Sequence, residues 1–132
     1  RLPGGTLTCV DISPPMVRIA ERRMRRHRNV RCVLGRVQEL GMRDASFDVI
    51  VVHNALHDVI ESDRVPTVAA LVRALRPGGR LYLREPTRPS HGMPSEAYKK
   101  LLTGTGLAEC ASRESKAFAL GPVLEAVFVK DA

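Results

Sequence analysis

Asp11, His53, His57, Asp58 and Glu85 are the residues whose types and spacing could do chemistry. Asp11 closes the run "LTCV" and precedes Ile12, Ser13 and two prolines. Nucleotide-binding folds set a carboxylate at such a strand-to-helix step to hold a ribose. A carboxylate stabilised by the dipole of the following helix fits the same place. His53 and His57 lie four apart, which suits two metal ligands on one helix face. The run before them reads as strand, however, and no third ligand has suitable spacing, so no metal is expected. His57, beside Asp58, suits a general base. A histidine at a helix start or in a polar loop fits equally. Glu85 ends a strand-like run; it could support a site, contact substrate, or pair with Arg84 or Arg88. His91 falls in a loop and is expected in solvent. "RPGGR" is a turn rather than a phosphate loop, because no lysine and serine follow it.

These residues need elements to position them. Leu7–Ile12 reads as a short buried strand. Pro14 and Pro15 open a helix, with Ser13 as its N-cap. Met16, Val17, Ala20 and Met24 form an apolar stripe widened by Ile19. Val30–Leu34 is a second strand, followed by a polar connection, "GRVQELGMRDAS", with a short helical turn. "FDVIVVHNAL" holds the continuous apolar run Val49–Val52, which suits a strand buried on both faces. Asp63–Leu75 is helical by pattern and stops at Pro77 and two glycines. Arg80–Pro86 is a strand, "TRPSHGMPS" a loop, and Ser95–Thr103 a short helix. Leu107–Ser112 and Val123–Lys130 are strands, the last one pairing antiparallel at an edge. Strands alternating with helices in this order predict an α/β fold with a mostly parallel sheet and helices on both faces. Ligands of such sheets bind beyond the carboxyl ends of the strands.

The chain has 132 residues, enough for one domain. Apolar content is 44% and charged content 27%, ordinary for a globular protein. No apolar run approaches the ~18 residues of a membrane helix, and the N-terminus carries no signal-peptide pattern. Cys9, Cys32 and Cys110 follow no metal spacing; Cys9 and Cys32 read as buried core residues in a reducing, cytoplasmic setting. The net charge of +7 is concentrated in Arg18–Arg31. That stretch is either a solvated helix face or a nucleic-acid contact. With 4% aromatic residues, stacking platforms for single strands are missing.

Four segments carry a resemblance: "VDISPPMVRIAERR", "GRVQELGMRDASFDVIVVHNALHDV", "LVRALRPGGRLYLREP" and the closing "GLAEC…VLEAVFVK". In their order and spacing the chain resembles a class I S-adenosylmethionine-dependent methyltransferase of the Rossmann-like, small-molecule type. The resemblance implies that Asp11 accepts hydrogen bonds from both ribose hydroxyls of S-adenosylmethionine, as an acceptor-only group can. It places Ile12 against the adenine ring and Arg36 and Val37 at the adenine edge. His53 and Asn54 would line the methionine end. His57 would face the acceptor as the catalytic base.

Two departures stand out. Arg36 occupies a position that is often aspartate; a guanidinium only donates, so it would stack on adenine while the Val37 N–H serves the ring edge. The glycine-rich loop of the family is absent, and "RLPGG" looks like the end of the first helix. The expectation is therefore an N-terminally truncated, single partial domain over residues 1–132. The missing strand would leave unpaired edges, open to self-association, beside the strands holding Asp11 and Phe47–Val52. The expected function is methyl transfer to a small-molecule acceptor, with no membrane partner. A non-catalytic nucleotide-binding or interaction module and a basic nucleic-acid-binding domain are the alternatives. A NAD-dependent Rossmann enzyme shares the carboxylate but leaves "LRPGGRLYL" unexplained.

Overall fold

A computed structural model describes residues 4–132; the helix end expected at Arg1–Pro3 lies outside the described residues. The chain packs as two compact units that divide between Gly41 and Met42.

The first unit is a βαβ unit. β1 (Leu7–Asp11) and β2 (Val30–Leu34) pair in parallel, Leu7 opposite Val30 through Asp11 opposite Leu34. α1 (Pro14–Met24) connects them, with prolines at its first two positions. Proline belongs there, since the first turn has no use for its missing N–H. Ser13 is the N-cap residue, but its side chain makes no capping bond. Instead the Ser13 N–H donates to Asp11 Oδ1 at 2.8 Å. Val17 is the buried contact of the apolar stripe. Cys9 and Cys32 face each other in register but are half-buried, not core residues. A two-stranded sheet under one helix is too thin to enclose them.

The second unit is a mixed sheet with helices. β3 (Phe47–His53) pairs in parallel with β4 (Leu75–Arg88). α2 (Glu61–Ala74) connects them, after a short helical turn at Leu56–Asp58. β5 (His91–Gly92) folds back on the end of β4. α3 (Ser95–Thr103) leads to β6 (Leu107–Ala117) and β7 (Gly121–Lys130). The strand order is β3-β4-β7-β6, with β7 antiparallel to both neighbours.

Several expectations need correcting. The last strand is antiparallel but not at the edge: β7 lies inside the sheet, and β6 takes the edge. The "RPGGR" turn is taken into β4. Phe47 pairs with Leu75 and Val49 with Arg80, so Arg76–Gly79 loops out opposite Asp48 alone. Gly78 makes this possible at φ +75°, a left-handed conformation. The loop after β4 contains the β5 pairing. Val49–Val52 is not buried on both faces. Ile50 and Val52 pack on the core, while Val49 and Val51 are 52% and 68% exposed. The core lies between one sheet face and both helices: Leu81, Leu83, Leu124 and Phe128 meet Val68, Tyr98 and Leu102. Burying each such side chain stabilises the fold by about 1.5–3 kcal/mol. Lys130 ties β7 to α2 and the start of β4 by donating to the carbonyls of Val72 and Leu75, both at 2.7 Å. Among the described residues no helix is long and apolar enough to cross a membrane.

Candidate functional site

Glu85, one residue beyond Arg84 on β4, turns inward because successive strand residues alternate faces. Its side chain is fully buried, and four donors meet its carboxylate. Oε1 accepts from the N–H of Ala55 at 2.7 Å and of Leu56 at 2.8 Å. Oε2 accepts from the His57 N–H at 3.3 Å and from His57 Nδ1 at 2.7 Å. The turn Leu56–Asp58 starts with backbone amides that lack helical acceptors. The carboxylate supplies the acceptor, by charge-assisted bonds roughly twice as strong as neutral ones. Glu85 therefore does not pair with Arg84 or Arg88; it pins the segment after β3 and orients His57.

With Nδ1–H given to Glu85, the neutral His57 ring keeps its lone pair on Nε2. The side chain is 5% exposed, and Nε2 is buried without a hydrogen-bond partner. Asp58 Oδ1 stands 3.3 Å away, out of hydrogen-bonding alignment. The His91 ring meets that of His57 edge-on, with centroids 4.6 Å apart. His91 is thus exposed, as expected for a loop, yet part of this cluster. Gly92 holds it there: at φ +139°, any Cβ would come within 2.1 Å of the Pro86 carbonyl oxygen. Tyr98 closes the interior, donating to Pro86 C=O at 2.8 Å and accepting from the Met93 N–H at 3.1 Å. Burial pushes its phenol up to about 12, against the pull of the Met93 bond and with help from the Glu85 charge.

Asn54 sits between the two histidines at φ +50°, a conformation asparagine tolerates better than most residues. Its N–H donates to Arg84 C=O at 2.9 Å, and its Oδ1 is buried without a partner. His53 is on the opposite sheet face from Glu85. There it begins a polar row in register across four strands: His53, Arg84, Glu125 and Arg113. Arg84 Nη1 lies 3.0 Å from His53 Nε2. Arg84 Nε donates to Glu125 Oε1 at 3.2 Å and Arg113 Nε to Oε2 at 2.5 Å. Arg113 first, then Arg84, hold the Glu125 carboxyl below the usual carboxylate range. The next row, Val51, Tyr82, Val127 and Ala111, is apolar. The two rows line an open cavity of about 530 Å³.

In the first unit, Asp11 is exposed at the end of β1. One oxygen serves Ser13, and its backbone carbonyl accepts from the Gly35 N–H at 3.0 Å. Ile12 is 67% exposed. Arg36 approaches Glu39 at 4.0 Å, just before Val37 opens the turn Val37–Glu39. Burial and then the neighbouring Cys32 push the Cys9 thiol up. Among the described residues no group of three His, Cys, Asp or Glu could hold a metal.

Residues 1–83 match the sequence profile of a family described as methyltransferase domain. The chain belongs to that family. It is a class I S-adenosylmethionine-dependent methyltransferase domain by sequence and by fold. A ubiquinone/menaquinone biosynthesis C-methyltransferase, UbiE, from Shewanella piezotolerans is 29% identical over 97 residues, 71% of this chain and 38% of that protein. The chain thus spans about two fifths of the length of the curated relatives it matches. The N-methyltransferase NodS from Bradyrhizobium japonicum, crystallised with S-adenosylhomocysteine, superposes with a TM-score of 0.84 at 21% identity. That match covers 96% of this chain and 67% of NodS. The [4+2]-cyclase SpnF also superposes with a TM-score of 0.84, at 15% identity, covering 97% of this chain and 67% of SpnF. The fold alone therefore does not name a reaction.

The methyltransferase domain carries the residues singled out in its sequence in two sets. Asp11, Ile12, Arg36 and Val37 lie in the first unit, all at the carboxyl ends of β1 and β2 or just beyond. His53, Asn54 and His57 lie in the second, at and after the carboxyl end of β3. Sequence reasoning left the use of Glu85 open and missed the contact from His91 and the Arg84–Glu125 pairing. The one signal was local: an acid at a strand end, "LYLREP", whose alternation turns it inward.

Proposed function

We propose that this chain serves methyl transfer from S-adenosylmethionine to a small-molecule acceptor whose nucleophile gives up a proton. The buried His57–Glu85 pair with its free Nε2 is the observation that carries this reading. The residues of each unit, taken by itself, support the cofactor reading. In the first unit, the exposed Asp11 carboxylate suits the ribose hydroxyls and Ile12 offers an apolar surface to a flat ring. Arg36 would stack on that ring and Val37 meet its edge. In the second, Asn54 Oδ1 is a buried acceptor awaiting a donor, and with His53 it would line the methionine end.

When bound, the cofactor supplies a methyl group already activated by its sulfonium. The chain's own part is positioning and proton handling. His57 Nε2 takes the proton from the acceptor. Glu85 keeps that nitrogen free, holds the ring still and stabilises the imidazolium that forms, as a buried carboxylate can for a catalytic histidine. The UbiE relatives are C-methyltransferases of ubiquinone/menaquinone biosynthesis by name, which supports a small-molecule acceptor. The free thiols of Cys9, Cys32 and Cys110 support a reducing cytoplasm.

Calorimetric titration of S-adenosylhomocysteine into the 132-residue chain tests the cofactor half. Micromolar binding is expected, weakened about tenfold by Asp11→Ala. No heat at millimolar concentrations overturns the reading for this chain. The catalytic half is tested by His57→Gln, expected to lower turnover about 10²–10⁴-fold.

A further inference from the structure

We propose that Arg84, braced by Glu125, is a positioning residue that locks His53 as a hydrogen-bond donor through Nδ1, so that the domain uses its two histidines in opposite senses. The inference rests on the methyltransferase reading for what His53 faces. Its tautomer follows from this structure alone. Arginine has donors only and keeps its charge. A guanidinium 3.0 Å from His53 Nε2 therefore requires a lone pair on that nitrogen, which puts the ring proton on Nδ1. Left to swing, Arg84 could not impose this; Glu125 prevents it. Glu125 Oε1 takes Arg84 Nε at 3.2 Å, and Arg113 anchors its other oxygen at 2.5 Å. Each member stands opposite the next in register, His53 to Arg84 to Glu125 to Arg113. Four strands thus fix the row without a loop.

Its position adds a second constraint. Arg84 and Glu125 are only 35% and 27% exposed, and the adjacent row holds Val51, Tyr82 and Val127. Partial shielding strengthens these bonds relative to a fully solvated pair. His57 carries the same tautomer by a different route. Its Nδ1–H is consumed by Glu85 and its Nε2 is left to accept. In His53 the consumed nitrogen is the acceptor and the remaining one is the N–H. One histidine is therefore left to take a proton and the other to offer a hydrogen bond. A ligand acceptor, such as a carboxylate oxygen, is the group His53 Nδ1–H would hold.

Long-range proton–nitrogen NMR of the uniformly ¹⁵N-labelled 132-residue chain, above the imidazole titration, reads the tautomers directly. His53→Gln assigns the signal among the four histidines. The expected spectrum has His53 protonated on Nδ1 and bare on Nε2. Arg84→Met should release it toward the Nε2–H form that free side chains favour, and Arg84→Lys, which can still donate, should restore much of the native pattern. S-adenosylhomocysteine affinity should fall about tenfold in Arg84→Met, the loss expected for one hydrogen bond. Wild-type His53 protonated on Nε2 overturns the inference with no variant needed. A tautomer that changes in Arg84→Met while affinity stays the same overturns the role of His53 toward the ligand. Wild-type chain that shows the expected tautomer but binds no S-adenosylhomocysteine refutes the cofactor reading and leaves the Arg84 lock standing.

Discussion

Replacing Glu85 with glutamine changes one atom and tests the centre of the second unit. The glutamine side chain has the same shape but one acceptor and one donor end. In one orientation its oxygen keeps the bonds from Ala55 and Leu56, at 2.7 and 2.8 Å. Its NH₂ then faces the His57 N–H and Nδ1, 3.3 and 2.7 Å from the present Oε2. The His57 N–H loses its acceptor, and the ring must surrender its Nδ1 proton to accept instead. The flipped orientation opposes NH₂ to the Ala55 and Leu56 amides together and is worse. The first orientation thus wins, at the cost of one long bond and the charge assistance in the others. Bonds to charged groups contribute about 1.5–3 kcal/mol and neutral ones about 1 kcal/mol. Relief of burying a charge offsets part of the loss. The net destabilisation should be about 1–3 kcal/mol, read as a shift in the urea midpoint at constant slope. His57 should move to the Nε2–H tautomer, which NMR reports, and should then be unable to take a proton. Glu85→Ala leaves three backbone amides unpaired and should lose more, about 3–5 kcal/mol. A Glu85→Gln chain with unchanged stability and His57 still protonated on Nδ1 would show that the carboxylate does not organise this segment.

Tyr98→Phe removes a buried hydroxyl with two partners, the Pro86 carbonyl and the Met93 N–H. It should cost about 2–3 kcal/mol near neutral pH by denaturant unfolding. The native phenol stays protonated up to about 12, above its ordinary 10.0. Its contribution is thus complete below pH 10 and lost as pH rises toward 12. The stability gap between wild type and Tyr98→Phe should narrow over that window; a gap that stays constant from pH 9 to 12 contradicts this. Gly92→Ala forces a Cβ into the Pro86 carbonyl oxygen and should open the β4–β5 pairing. Faster amide exchange at residues 87 to 92, with the helices unaffected, is the expected signature, together with about 1–3 kcal/mol of lost stability.

Much of the fold was legible because local chemistry agrees with it. Val30–Leu34 and Ser95–Thr103 come out with the bounds their patterns predict. The double proline opens α1 where it should, Asp11 and His53 fall at strand ends, and His57 follows in the turn after β3. What was illegible depends on partners far along the chain. A run such as Val49–Val52 reports hydrophobicity but not whether a layer covers each face. The place of β7 inside the sheet depends on its pairing with Arg80–Pro86 of β4 on one side and Leu107–Ala117 of β6 on the other. Proline and glycine in "RPGGR" predict a turn correctly, yet Leu75 just before them still pairs with Phe47. At the site, Arg84 and Glu125 are 41 residues apart, and no local pattern couples them. The alternation that sends Arg84 to one face and Glu85 to the other was visible. What each would meet there was not.

β3 also bears on how this 132-residue chain would behave at concentration. It ends the order of its sheet, so one backbone edge pairs with no described strand. Its sequence, Phe-Asp-Val-Ile-Val-Val-His, combines high strand propensity with little charge and no proline, the composition of segments that stack into cross-β fibrils. Edges of this kind are normally blunted by a lysine, a proline or a covering element, and Asp48 is the one charged carboxylate within it. Self-association of this 132-residue chain should therefore be sensitive to this strand. A lysine placed at the exposed Val51 would act as a gatekeeper while leaving the core, Glu85 and both histidines in place.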